Sequence, residues 1–201
     1  MRDLVVIGGS LAGLKRLCRL IDQLPSSFQA PILAELHTSA DRAESAVKML
    51  GACTSQPVAY GIEGTRPQAG RVYLAPDDRH LIVKATGVLG LPVDSGVRQS
   101  KAAADRLFVS AARVCGPRVI GVVLAGSDVD GIEGLRAINA AGGIGVLEAT
   151  DEAIEPATMA KQRSSTTRAS QAHYCLPLDD IAELLRKLID GEHVPTALTL
   201  P

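Results

Sequence analysis

Short apolar runs rich in β-branched residues alternate along this chain with stretches of helical period. "LVVI" (4–7) is the first run, and Leu14, Leu17, Cys18 and Ile21 then recur at the spacing of one helical face. "PILAEL" (31–36) reads as a second strand closed by His37, and Ala43, Ala46, Val47 and Leu50 give the next helix an apolar stripe. "RVIGVVLAG" (118–126) is apolar without alternation, as expected of a strand buried on both faces. "GIEGLRAINAAGG" (131–143) predicts a helix halted by Gly142 and Gly143, "IGVLEA" another strand, and 179–188 a last helix after "YCLPL". This order predicts an α/β fold with a doubly wound, mostly parallel sheet flanked by helices. The middle departs from the rhythm. "GRVYLAPDDRHLIVK" (70–84) holds two strand-like runs joined by Pro76, Asp77 and Asp78, a connection suited to a small antiparallel hairpin. The segment 150–170 is polar and without clear period, and the Pro-containing tail after Gly191 is expected to be loosely held.

Composition narrows the picture. The 201 residues suffice for one domain, expected over 1–190 with a tail at 191–201. A formal net charge of −1 leaves no basic excess for nucleic acid or an anionic membrane surface. Two Phe, three Tyr and no Trp supply a poor platform for base stacking. No apolar run approaches the length of a membrane span, and the N-terminal run is too short for a signal peptide. Cys18, Cys53, Cys115 and Cys175 form no C-x-x-C pair and lie in or beside apolar stretches, so they read as reduced and mostly buried. Those features predict a soluble, cytoplasmic protein.

In an open parallel sheet, ligands sit beyond the carboxyl ends of the strands. The first strand delivers Ser10 there, the second His37, and the strand at 118–126 delivers Ser127, Asp128 and Asp130. A hydroxyl, an imidazole and a carboxylate on one rim are the parts of a hydrolytic triad. Serine must lose its proton as it attacks, an imidazole titrating near neutrality takes it, and a carboxylate fixes the imidazole tautomer. Gly8 and Gly9 permit a sharp strand-to-helix bend, and a helix N-terminus aims N–H groups at a developing oxyanion. "GGSLA" is close to the G-x-S-x-G nucleophile elbow, with Ala12 in the last place.

"VVIGGSLAGLKRL", "LAELH", "GRVYLAPDDRHL", "DRLFVSAA", "GVVLAGSDVDGIEGLRAINAAGG" and "LPLDDIA" together resemble the catalytic domain of the chemotaxis protein-glutamate methylesterases (CheB). The resemblance runs in order over roughly residues 3–188. It implies hydrolysis of glutamyl methyl esters on chemoreceptor-type proteins, with possible deamidation of their glutamines, and no cofactor. It places the nucleophile at Ser10, the base at His37 and the triad acid at Asp130. Leu11 and Ser127 fall on oxyanion or substrate-binding positions, Ser127 through its backbone N–H. This chain departs from the family at several points. Leu11 stands for a threonine, Ala12 for a glycine and Ser127 for a methionine. Asp128 adds a charge beside the triad acid, "SKAA" (100–103) replaces H-R-P-S, and "TSADRAE" lacks M-P-x-x-F. The first catalytic strand directly follows Met1, so any receiver-domain regulator is expected on a separate protein.

The same residues support plainer readings. Ser10 suits the N-cap of a helix at 11–23, His37 an ordinary surface histidine, and Asp130 with Glu133 a capping box. Asp128 rivals Asp130 for the triad place. His80 reads as structural, and His173 and His193 lack metal-ligand spacing. Two other functions use the same turn. One is a relative that keeps the fold and binds a partner. The other is a dinucleotide site: Gly8–Gly13 is one residue from the G-x-G-x-x-G fingerprint, with Glu35 about twenty residues on. Ser10 there puts a Cβ where backbone must approach a pyrophosphate, which counts against the cofactor.

Overall fold

Continuous apolar strands build one sheet with two covered faces. The computed structural model describes residues 1–9, 13–36, 43–76, 79–93, 103–125, 130–149 and 172–194. In chain order the elements are β1 (Leu4–Gly9), α1 (Gly13–Asp22), β2 (Ile32–Leu36), α2 (Ala43–Cys53), β3 (Val58–Tyr60) and β4 (Val72–Leu74). There follow β5 (Ile82–Val83), β6 (Leu89–Gly90), α3 (Ala103–Cys115), a 3₁₀ turn (Gly116–Arg118) and β7 (Val119–Val123). The chain ends with α4 (Ile132–Ala140), β8 (Ile144–Glu148), β9 (Tyr174–Leu176) and α5 (Leu178–Asp190). Seven strands pair in the order β3-β4-β2-β1-β7-β8-β9, every pair parallel.

The sheet's two faces carry separate cores. Val5, Ile7, Ile32, Ala34, Ile120 and Val122 pack with the buried stripes of α1, α2 and α5. Leu4, Val6, Leu33, Val119 and Val123 pack on the other side with α3, α4 and the β5–β6 pair. Successive strand residues point to opposite faces, so this partition follows from the period of two. The doubly wound fold is as expected.

Two local expectations needed correcting. The antiparallel pair is β5 with β6, Ile82 opposite Gly90 and Val83 opposite Leu89. The first of the runs assigned to the hairpin, now β4, joins the parallel sheet between β2 and β3. Val72, Tyr73 and Leu74 are buried, and β2 offers an open edge whose ladder they complete. The cysteines also differ from the four reduced, mostly buried thiols expected. Cys18 and Cys53 form a disulfide with Cα atoms 5.6 Å apart, tying α1 to α2, and Cys115 and Cys175 are free and only half-buried. Helical packing of α1 on α2 brings the first two together, although they are 35 residues apart in sequence. The cysteine argument for a reducing compartment therefore falls. Among the described residues no helix is long and apolar enough to cross a membrane.

The disulfide sets the first expected result. Closing a loop of this length restricts the unfolded chain by about 2–4 kcal/mol. The variant Cys18→Ser with Cys53→Ser is expected to lose that much in urea unfolding. Addition of reductant is expected to destabilise the wild type and leave the double variant unmoved.

One aromatic ring holds the α3–α4 side together. Phe108 is fully buried against bare backbone. A Cβ on Gly134 would overlap its side chain, and one on Gly8 would lie 3.3 Å from the ring and 2.5 Å from Ala104 Cβ. Glycine at 134 lets α4 lie directly on α3, and glycine at 8 lets α3 lie directly on β1.

Candidate active site

β1 is flanked by β2 on one side and β7 on the other, with Gly9 opposite Leu36 and Gly8 opposite Val123. The helix that follows β1 packs on one face of the sheet and the helix that follows β7 on the other, so the switch point of the winding lies at the carboxyl ends of these adjacent strands. β1 stops one residue before Ser10, and β2 one residue before His37. Ser10, Leu11, His37, Ser127 and Asp128 lie outside the described residues.

Asp130 is described, and it is buried (6 % exposed). Its Oδ2 accepts the Ala104 N–H at 2.9 Å and its Oδ1 the Asp105 N–H at 3.2 Å. These are among the first N–H groups of α3, which have no partner within the helix. The acid is therefore a tertiary cap, and the capping box expected with Glu133 is not what forms. Glu133 pairs with Arg136 on the surface at 2.6 Å, and α4 starts from Gly131 without a side-chain cap. Gly131 has φ +98°, in the left-handed region, and a Cβ there would lie 2.8 Å from Val123 Cγ2. That turn aims Asp130 inward while α4 leaves the sheet.

Asp105 returns the favour. Its Oδ1 accepts the Gly134 N–H in the first turn of α4 at 2.6 Å, so an acid of α3 bonds the start of α4 while the acid just before α4 bonds the start of α3. Asp105 is half-buried, and burial raises its pKa, reinforced by the nearby Asp130 and Glu133 charges and opposed by the Gly134 N–H.

Two further acids close apolar strands on this rim. Glu35 in β2 is buried, and its Oε2 accepts the Leu81 N–H at 2.9 Å while Oε1 faces His80 Nδ1 at 3.4 Å. His80 thus holds the segment before β5 against β2, the structural role expected of it. The acid that the dinucleotide reading reserves for a ribose is spent inside the fold, and that reading loses its second support. Glu148 ends β8, with Oε2 accepting the Ala125 N–H at 2.7 Å and Oε1 paired with Arg16 of α1. Neither Arg16 nor Glu148 stood out in the sequence. The available signal was the repeated pattern of an acid closing an apolar strand, "ILAEL" and "IGVLE".

Among the described residues no group of three His, Cys, Asp or Glu side chains is arranged to hold a metal ion. A surface cavity of about 470 Å³ lies between α1 and α2 around the disulfide, lined by Lys15, Cys18, Arg19, Asp22, Met49, Ala52 and Cys53. None of the candidate residues contributes to it.

Of the candidate triad residues, Asp130 alone falls among the described residues, buried after β7 and bonded to the start of α3. A family model described as CheB methylesterase matches residues 5–185. The chain belongs to the CheB methylesterase family. A solved relative, the CheB methylesterase catalytic domain of Thermotoga maritima, superposes with a TM-score of 0.78 at 28% identity, covering 94% of this chain and 99% of that one. Protein-glutamate methylesterase/protein-glutamine glutaminase 4 of Myxococcus xanthus is 33% identical over 93% of this chain and 52% of its own length. The protein-glutamate methylesterase FrzG, also of Myxococcus xanthus, is 33% identical over 93% of this chain and 55% of its own. The chain thus spans about half the length of these CheB relatives, whereas a Leptospira interrogans relative at 29% identity is matched over 94% of its length.

Proposed function

We propose that this CheB-family chain is a serine esterase acting on protein-glutamate methyl esters, with its catalytic unit at 1–190 and a tail at 191–201. Its substrate is a methylated protein of chemoreceptor type, and a receiver-domain regulator, if used, acts from outside the sequence given. The observation that carries this reading is Asp130. It is a buried carboxylate that follows β7 in the chain and is held by two backbone N–H groups at the start of α3.

Ser10 attacks the ester carbonyl while His37 takes the hydroxyl proton. Asp130 keeps the imidazole in the right tautomer and stabilises it once charged. The N–H of Ser127, with the backbone at Leu11, stabilises the oxyanion. Collapse expels methanol, which takes the proton from His37 and leaves a glutamyl ester on Ser10. Water, deprotonated by His37, then releases the glutamate carboxylate and restores the serine. With glutamine the same steps release ammonia. Capping α3 and orienting the imidazole are compatible in Asp130, since a carboxylate offers about four acceptor sites.

Labelling with a fluorophosphonate tests the proposal. The wild type is expected to carry the label on Ser10, and His37→Ala to lose it. A wild type that takes no label would overturn the esterase and favour a relative that only binds a partner, a reading that the departures at Leu11, Ala12 and Ser127 motivate.

A further inference from the structure

Glu148 stands out because it is charged, enclosed and unused by the chemistry above. Its side chain is 1 % exposed, whereas that of its partner Arg16 is 41 % exposed. A buried carboxylate is tolerated where hydrogen bonds and an opposite charge replace the lost water. Here the replacements come from two places that matter. The guanidinium comes from α1, the helix that Ser10 precedes, and the N–H comes from Ala125, two residues before Ser127 in the chain. Leu124, next to Ala125, is itself anchored to β1 through the Gly8 carbonyl at 2.9 Å. Glu148 thus lies between the segment that carries the nucleophile and the one that carries the oxyanion donor.

We propose that Arg16 and Glu148 form a latch that fixes α1, which follows Ser10 in the chain, relative to Ala125, two residues before Ser127. Both are positioning residues for the esterase reaction. The inference rests on the function proposed above. The latch needs its two halves for different reasons. Glu148 fixes the Ala125 N–H, and Arg16 lets Glu148 do so while charged. Removal of Arg16 leaves a buried carboxylate without its counter-charge, which must turn toward water and release its hold on Ala125. A neutral amide at 148 needs no counter-charge and still offers an oxygen to that N–H. The effect of losing Arg16 therefore depends on what stands at 148. A side chain that contacted substrate would show no such dependence.

The test uses the full chain as wild type, Arg16→Ala, Glu148→Ala and the double variant Arg16→Ala/Glu148→Gln. The fluorophosphonate labelling rate at Ser10 and kcat and KM on p-nitrophenyl acetate are measured, with thermal unfolding followed in parallel. Arg16→Ala and Glu148→Ala are each expected to lower kcat and labelling rate by about tenfold or more, because sub-ångström errors between reacting groups are expensive. KM is expected to stay within about twofold. The double variant is expected to regain most of the kcat lost in Arg16→Ala.

A kcat unchanged in both single variants would overturn the latch, leaving a salt bridge that matters only to unfolding. So would a double variant as slow as Arg16→Ala, or a loss confined to KM. Should Arg16→Ala fail to fold, Glu148→Ala and the double variant carry the same comparison. A wild type without label at Ser10 overturns the esterase and the latch with it. That pattern is distinct from a labelled wild type whose variants keep its rate.

Discussion

Asp130→Ala loses both activity and stability, and Asp130→Asn separates the two. Alanine leaves the Ala104 and Asp105 N–H groups without their acceptor in a buried helix start. The loss of a cap and of buried hydrogen bonds predicts a destabilisation of about 2–4 kcal/mol, read from urea unfolding. Asparagine keeps one acceptor oxygen toward α3, so its expected loss is smaller, about 1–2 kcal/mol. Its effect on turnover is not smaller. An amide cannot hold the imidazole in the required tautomer, and in a serine protease the same exchange lowers kcat on the order of 10⁴-fold. Hydrolysis of p-nitrophenyl acetate by folded Asp130→Asn is expected to fall on that scale, with Asp128→Asn close to wild type. If Asp128→Asn were the inactive variant and Asp130→Asn kept its turnover, Asp130 would be a cap alone and the triad acid would move to 128.

The second large effect concerns Phe108. Its ring is fully buried and packs directly on the backbone of Gly8 and Gly134. Phe108→Ala is expected to destabilise by about 3–5 kcal/mol, and Phe108→Leu by less, since much of the volume stays. In a chain of this size that places the alanine variant's melting temperature about 10–15 °C lower. A loss below about 1 kcal/mol on thermal or urea unfolding would show that α3 and α4 can close on the gap, contrary to the tight backbone contacts.

The two-layered winding was legible because the strands at 4–9, 32–36 and 119–123 are continuous apolar runs and the helices between them carry clear stripes. β3 and β9 were not assigned, being three-residue edge strands without enough length to show a period. β4 was misplaced for a related reason. "VYL" is strand-like in any sheet, and only the free edge of β2 decides which one it joins. The candidate triad came from strand ends and from the family motifs. The bonds of Asp130 to α3 were invisible, because the capped N–H groups lie far away in sequence. The Cys18–Cys53 bridge was missed because helix packing, and no local spacing, makes those residues neighbours.

The exchange of acids between α3 and α4 changes what an aspartate at 130 signifies. Because folding alone favours a carboxylate there, a descendant that had abandoned chemistry would be under pressure to retain it. Its presence in a relative is therefore weak testimony that the owner still turns over.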